Sequence, residues 1–291
     1  MTTSIRTLTP PTIPAPAAAP ELRRSTGRGT LRHVRQHAGA AALTVVPLAA
    51  ILLLWQLLTV NHVVLWLRFD KVPTPGEVFD AFRIQLGSAD YYRNLISSTR
   101  RILLGFGLAT ITGVLIGMAV GRSAVAARLI RPVIEVARPI PAIAVVPLAI
   151  LLFPTGEQGI VFITFFAAFF PVAVSTIHAV QALPHVWEEA ARTLGARRGD
   201  ILFRIALPGA LPGIFSGLSV AMGVAWICVI SAEMISGQFG IGYFTWQCYG
   251  MLDYPSVVVG MLTIGALGWI TSALVELAGR RVNRWLPRAA R

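Results

Sequence analysis

The stretch "EEAARTLGARRGDILFRIALP", Glu188–Pro208, is polar and carries four arginines. Long apolar runs flank it on both sides, Ile160–Val180 and Ala210–Ile230. Trp187, Ala190, Ala191 and Leu194 fall at i, i+3, i+4 and i+7, which predicts one apolar face on a helix. Glu188 and Arg192 form a favourable i, i+4 pair on the other face. Leu183-Pro184 suits a helix start, with proline at the first helical position. Gly195 sits where a left-handed helix end belongs. Gly199-Asp200 then turns the chain, with Asp200 as the expected N-cap of a second helix over Ile201–Ala206. Pro208 opens the next apolar run. The expectation is a helix–turn–helix whose apolar centre is made of small residues. Such a surface fits either a docked protein or the lipid headgroups.

The setting of this stretch is a membrane protein. The 291 residues are 55% hydrophobic and 13% charged, about half the charge of a soluble domain. Apolar runs of about 20 residues match the thickness of a bilayer core. A net charge of +12 invites a nucleic-acid reading, but the basic residues sit in short segments beside apolar runs, as topology signals do. No nucleic-acid partner is expected; the lipid bilayer is. Cys228 and Cys248 lack metal-site spacing, and no metal is expected. No Ser/His/Asp or metal constellation points to a membrane enzyme, and no catalytic residue is expected; His178 and His185 flank one span end as interface residues.

Residues 1–37 hold prolines 10, 11, 14, 16 and 20 and six arginines without an apolar period, a disordered basic tail. The first apolar run starts near Ala38, too late and too long for a cleaved signal. Six spans are expected, at 39–60, 98–121, 132–153, 159–180, 209–232 and 256–278. The fold class is an all-α polytopic membrane protein. Residues 38–60 form the first transmembrane helix, 61–97 an extracytoplasmic segment, 98–278 the core, 181–208 a cytoplasmic loop and 279–291 a cytoplasmic tail. Basic residues favour cytoplasmic termini by 18 to 6. The dissenting six, Arg68, Lys71, Arg83, Arg93, Arg100 and Arg101, lie in the 61–101 segment. There "VPTPGEVFDAF" predicts a turn and a short surface helix carrying Val78, Phe79 and Phe82. The 233–255 segment is read as an outer loop containing Cys248.

Two runs carry small residues every fourth position: Gly105, Ala109, Gly113, Gly117 and Gly121, then Gly209, Gly213, Gly217, Ala221 and Ala225. Such stripes let helix backbones approach closely in lipid. Both runs are expected to be central, and the second to lie near a two-fold axis between copies. The 132–153 run holds Pro132, Pro139, Pro141 and Pro147, so a kink is expected. Pro141 and Pro147 are candidates for a gate or for packing alone. Ser216, Ser219, Cys228 and Ser231 form a polar face that lines a path or bonds neighbouring helices.

Glu189-Ala190-Ala191, three residues, Gly195, nine residues and Ile205-Ala206-Leu207-Pro208 match the EAA motif of binding-protein-dependent ABC transporter permeases. "VPTPGEVFDAF", "RPIPAIAVVPLAILLF", "FFPVAVSTIHAV" and "SAEMISGQFGIGYFTWQ" resemble the nitrate/sulfonate/bicarbonate, or taurine-type, subfamily, over roughly Ala38 to Leu286. The resemblance implies a type I ABC importer transmembrane fold in a bacterial inner membrane. It makes Glu188, Glu189, Ala190, Ala191, Arg192, Leu194, Gly195, Ala196 and Arg197 a coupling helix against a cytoplasmic ATPase. It further implies a homodimer of permease copies, two ATPase subunits, an extracytoplasmic solute-binding protein and a small anion as cargo. The chain has no GxxxxGK[ST], and its one lysine is Lys71, so ATP and Mg belong on the partner ATPase. No cofactor is expected on this chain.

The competing class is a secondary transporter driven by an ion gradient, which needs an ionisable group within the membrane. Its candidates are weakly placed: Glu135 and Arg138 in the inner third of the third span and able to pair, Glu233 at the outer end of the fifth, Glu276 near the inner end of the sixth. No inverted repeat is visible.

Overall fold

The computed structural model describes residues 46–47, 49–61 and 69–284. The basic tail at 1–37 and the end of the C-terminal tail lie outside them. The described residues divide into two units within the first helix, at Leu54/Trp55. All packing discussed below belongs to the second unit.

Every regular element among the described residues is helical. The order is α1 (Ala49–Val60), α2 (Pro75–Leu86), α3 (Ala89–Arg122), α4 (Ala124–Ala137), α5 (Val146–Leu152), α6 (Gly156–Gln181), α7 (His185–Thr193), α8 (Arg198–Ile201), α9 (Leu207–Ser236), α10 (Ile241–Gly250) and α11 (Tyr254–Val282). Helices α3, α6, the run from α8 through α9, and α11 are each long and apolar enough to cross a bilayer. α1 is a shorter apolar helix.

The stretch expected as one span at 132–153 is two helices. α4 and the Ala142–Leu152 stretch meet at 85°. The break falls on Pro139 and Pro141. Neither can donate a backbone hydrogen bond, and Pro141 itself is extended, with φ −64° and ψ 121°. Pro147 opens α5 and Pro132 sits inside α4. The next helix start is conventional: the Thr155 hydroxyl caps α6 by accepting from the Gln158 N–H at 3.3 Å.

Packing centres on α6, with α3 on one side and α9 on the other. Both glycine stripes face it. A Cβ on Gly105 or Gly117 would lie 2.5 Å from the Cβ of Thr164 or Thr176. A Cβ on Gly213 would lie 2.5 Å from that of Ala179, and Gly217 abuts Ser175. In lipid, close van der Waals packing replaces the hydrophobic drive, so hydrogen side chains at these positions hold the trio together. The α9 stripe is therefore packed against α6 within the chain. Val172, Ala168 and Ile163 of α6 are fully buried in this core.

The surface helix expected from "VPTPGEVFDAF" is α2. Thr74 accepts from the Glu77 N–H at 3.3 Å, and the Glu77 carboxylate accepts from the Thr74 N–H at 2.8 Å, a reciprocal cap. α3 begins at Ala89, nine residues before the expected span at 98–121. The outer loop expected at 233–255 is mostly ordered: α9 continues to Ser236, α10 follows, and α11 starts at Tyr254. Cys248 is buried in α10, packed in a cluster with Phe244, Ile241 and Tyr91.

Candidate functional site

α7 carries the stretch on which the sequence turns. His185 is its first helical residue and Pro184 its N-cap, one position from the expected start. No residue of α7 is buried. Trp187 is 46% exposed, Val186 61% and Leu194, just beyond the helix, 89%. An apolar helix face left this open is an interaction surface. Ala190 lies exposed beside them, Ala191 is half-buried, and the exposed Glu189 carboxylate has no hydrogen-bond or ion-pair partner among the described residues; Arg192 and Arg197 are exposed too.

The end of α7 is closed by backbone geometry. Gly195 has φ +85°. Its N–H donates to the Arg192 carbonyl at 2.9 Å, and the Ala196 N–H donates to the Ala191 carbonyl at 3.0 Å. This pair of bonds needs a left-handed residue at Gly195, which a Cβ would strain by about 1–2 kcal/mol. Beyond it, Arg197 is the N-cap of α8, and Asp200 sits in the first turn, its carboxylate accepting from the Arg197 N–H at 3.2 Å. Asp200 is thus not the N-cap. Leu202–Ala206 is a π-helical stretch continuous with α9, not a separate helix. Pro208 removes the donor that the Arg204 carbonyl needs, and such gaps in the ladder are where wider turns occur.

Two contacts tie α7 to the membrane helices. The Arg122 guanidinium, at the end of α3, donates to both Glu188 oxygens, at 2.5 and 3.3 Å. Glu188 reaches the expected Arg192 only at 3.9 Å. At the start of α9, a Cβ on Gly209 would meet Leu183 at 2.8 Å and the Trp187 ring at 3.5 Å. A push on α7 thus reaches α3 through an ion pair and α9 through a close-packed contact.

The other end of α3 holds a buried polar cluster. Arg101 is 2% exposed, and Glu233 of α9 is fully buried. Arg101 donates to Glu233 at 2.8 Å and to Glu157 of α6 at 2.6 and 2.9 Å, and also to the Phe239 carbonyl. Glu233 also accepts from the Ser98 hydroxyl at 2.8 Å and the Gly242 N–H at 2.9 Å. The Ser98 hydroxyl accepts from the Ile241 N–H, and Asn94 accepts from the Gly240 N–H, both at 2.8 Å. Every acceptor of a buried carboxylate is satisfied, the condition for keeping charge away from water. The cluster joins α3, α6, α9 and α10. Sequence reading assigned Arg101 to the topology count and Glu233 to a span end. Opposite charges at the same end of two apolar runs were the available signal.

The other singled-out residues scatter. Glu135 pairs with Arg131 at 2.9 Å, not with Arg138, and Glu276 pairs with Arg280 at 2.9 Å. The Ser219 and Ser231 hydroxyls donate to carbonyls one turn back, Phe215 and Ile227. Ser216 is exposed. A cavity of about 400 Å³ lies between the α4–α5 break, α6 and α9. Its lining includes Ile140 and Ala142, either side of Pro141, and none of these serines.

The sequence pattern of the binding-protein-dependent transport system inner membrane component family matches residues 109–286, and the chain belongs to that family. It is a membrane-spanning permease subunit of an ABC importer. A protein of Methanocaldococcus jannaschii named as an ABC transporter permease is 36% identical over 225 residues, 76% of this chain and 84% of its own. The taurine transport system permease protein TauC of Escherichia coli is 31% identical, covering 74% and 80%. The bicarbonate transport system permease protein CmpB of Synechococcus elongatus is 28% identical, covering 93% and 98%. In fold the chain resembles an inward-facing MetNI methionine ABC transporter structure, with a TM-score of 0.54 and 23% identity, covering 68% of this chain and 97% of that one.

Proposed function

We propose that the chain forms half of the membrane path of an ATP-driven importer for a small anion, working as a pair of identical copies. The observation that carries this is α7: an amphipathic helix with no buried residue, capped by a left-handed glycine and tied to α3 and α9. An ATPase subunit docking on Val186, Trp187 and Leu194 would cover the apolar face, and Glu189 would meet a basic or amide donor. Closing of two ATPase subunits on ATP would draw the two α7 helices together and tilt α3 and α9. ATP and Mg are held by that partner, and an extracytoplasmic binding protein delivers the solute.

The chain crosses the membrane six times in this reading. α1 serves as the first crossing, and the bent α4–α5 pair as the third. Both termini are then cytoplasmic, with α7 on the same side and the Arg101–Glu233 cluster opposite. Relatives named for bicarbonate and for taurine, a solute with a sulfonate group, support an anionic group on the cargo. The test is uptake of labelled nitrate, bicarbonate and taurine by cells expressing the whole importer. Uptake should stop on ATP depletion and persist with an uncoupler while ATP is maintained. Loss with the uncoupler alone would instead favour an ion-gradient carrier.

A further inference from the structure

The cavity at the α4–α5 break has one charged lining residue, Arg138. Arg138 ends α4, and the 85° bend that follows turns the chain back toward the bundle. The opposite walls are Phe166, Phe170 and Ser175 of α6 and Val220 and Val224 of α9. Phe166, Phe170, Val220 and Val224 lie near the middle of Gly156–Gln181 and of Leu207–Ser236, and Ser175 lies nearer the end of α6. Arg138, itself exposed, thus lines a cavity that reaches from the α4–α5 break across to α6 and α9. Among the described residues, no carboxylate pairs with it.

An unpaired cation beside apolar walls is costly unless it faces water or an anion. The rest of the lining is nearly all apolar. Aromatic and aliphatic walls keep the local dielectric low, which strengthens the field of the one charge. A planar guanidinium with several N–H donors suits a carboxylate, sulfonate, nitrate or bicarbonate oxygen pair. The Ser175 hydroxyl is the one other polar side chain in the lining.

Resting on the anion reading above, we infer that Arg138 is a transient anion-binding residue of the translocation path, contacting the cargo as it passes between α6, α9 and the broken helix. A single cation suits this task, because a path site must hold its cargo weakly enough to release it.

The test uses the complete importer, with labelled nitrate, bicarbonate and taurine as probes. Arg138→Gln should lower uptake of the transported anion roughly tenfold or more, the loss of one charge-assisted contact. The ATPase should still co-purify. Arg138→Lys should keep a substantial part of the rate. Arg138→Cys should be as slow as the Gln variant. Its uptake should recover when a methanethiosulfonate reagent adds an aminoethyl group, and not when one adds a sulfonatoethyl group. The native Cys228 and Cys248 are buried, so the wild type treated alike is the control. Wild-type uptake by the Gln variant would overturn the inference. So would equal recovery with both reagents, or no recovery by the aminoethyl group in an assembled complex. If the wild type itself carries none of the three anions and carries a neutral or cationic solute, the anion reading falls and takes this inference with it.

Discussion

At one end of α3, Arg101 is 2% exposed and its partner Glu233 is fully buried; past the other end, Leu194 is 89% exposed and no residue of α7 is buried. The first region satisfies every charge internally. The second leaves an apolar helix face open and fastens only its edges, through Arg122–Glu188 and Gly209–Trp187. In the proposed function a chain that transmits motion needs both: the buried cluster ties α3, α6, α9 and α10 together, and the open helix would give a partner something to push. The contrast also separates the mutations that break the fold from those that break coupling.

The largest effect should come from the buried end. Arg101→Ala leaves Glu233 buried without its cation, a loss of about 3–5 kcal/mol. Thermal unfolding of the purified complex in detergent should show a large fall in Tm. Glu233→Ala should do less, because Arg101 keeps Glu157. Equal, small effects for both would mean that water already reaches the cluster.

Next come the glycines against α6. Gly117→Leu and Gly213→Leu should each destabilise the single chain by about 1–3 kcal/mol or more, since neighbouring atoms already occupy the space. Gly223→Leu meets nothing within 4 Å and should leave the fold intact. If Gly213→Leu changed only the association of copies and not the stability of each, the stripe would belong between copies after all.

The smallest change in stability should follow Glu188→Ala. The pair with Arg122 is about one-fifth exposed on both sides, so its loss should be about 1 kcal/mol. Its larger signature should be looser coupling, read as ATP hydrolysed per solute imported. An unchanged ratio would show that Gly209 and Trp187 alone carry the link.

The helix at His185–Thr193 was legible because its signals are local. Apolar spacing, a glycine at a helix end and a following proline all act within one or two turns. The glycine stripes were legible as packing faces, but not their partner: spacing says that a face must be covered, not by which helix. In α9 the covering neighbours of Gly213 and Gly217 are Ala179 and Ser175 of α6. The Arg101–Glu233 pair joins residues 132 positions apart, which no periodicity reports. The break at Pro139 and Pro141 was readable as a kink. Its 85° angle was not, because packing against α6 and α9 decides how far a broken helix turns.

The central claim is that α7 is the surface an ATPase drives. The direct measurement is co-purification of the ATPase, with coupled ATP hydrolysis, from membranes carrying Gly195→Val or Glu189→Lys. Neither residue packs against the membrane helices: a Cβ on Gly195 strains the end of α7 but meets no neighbour, and Glu189 is exposed. Both variants should insert into the membrane normally, with Arg204→Gln as a milder control. The account predicts that the ATPase is lost, or that its hydrolysis no longer drives uptake. Retention of a tightly bound, transport-coupled ATPase in both variants would contradict it and make α7 a helix resting on lipid headgroups.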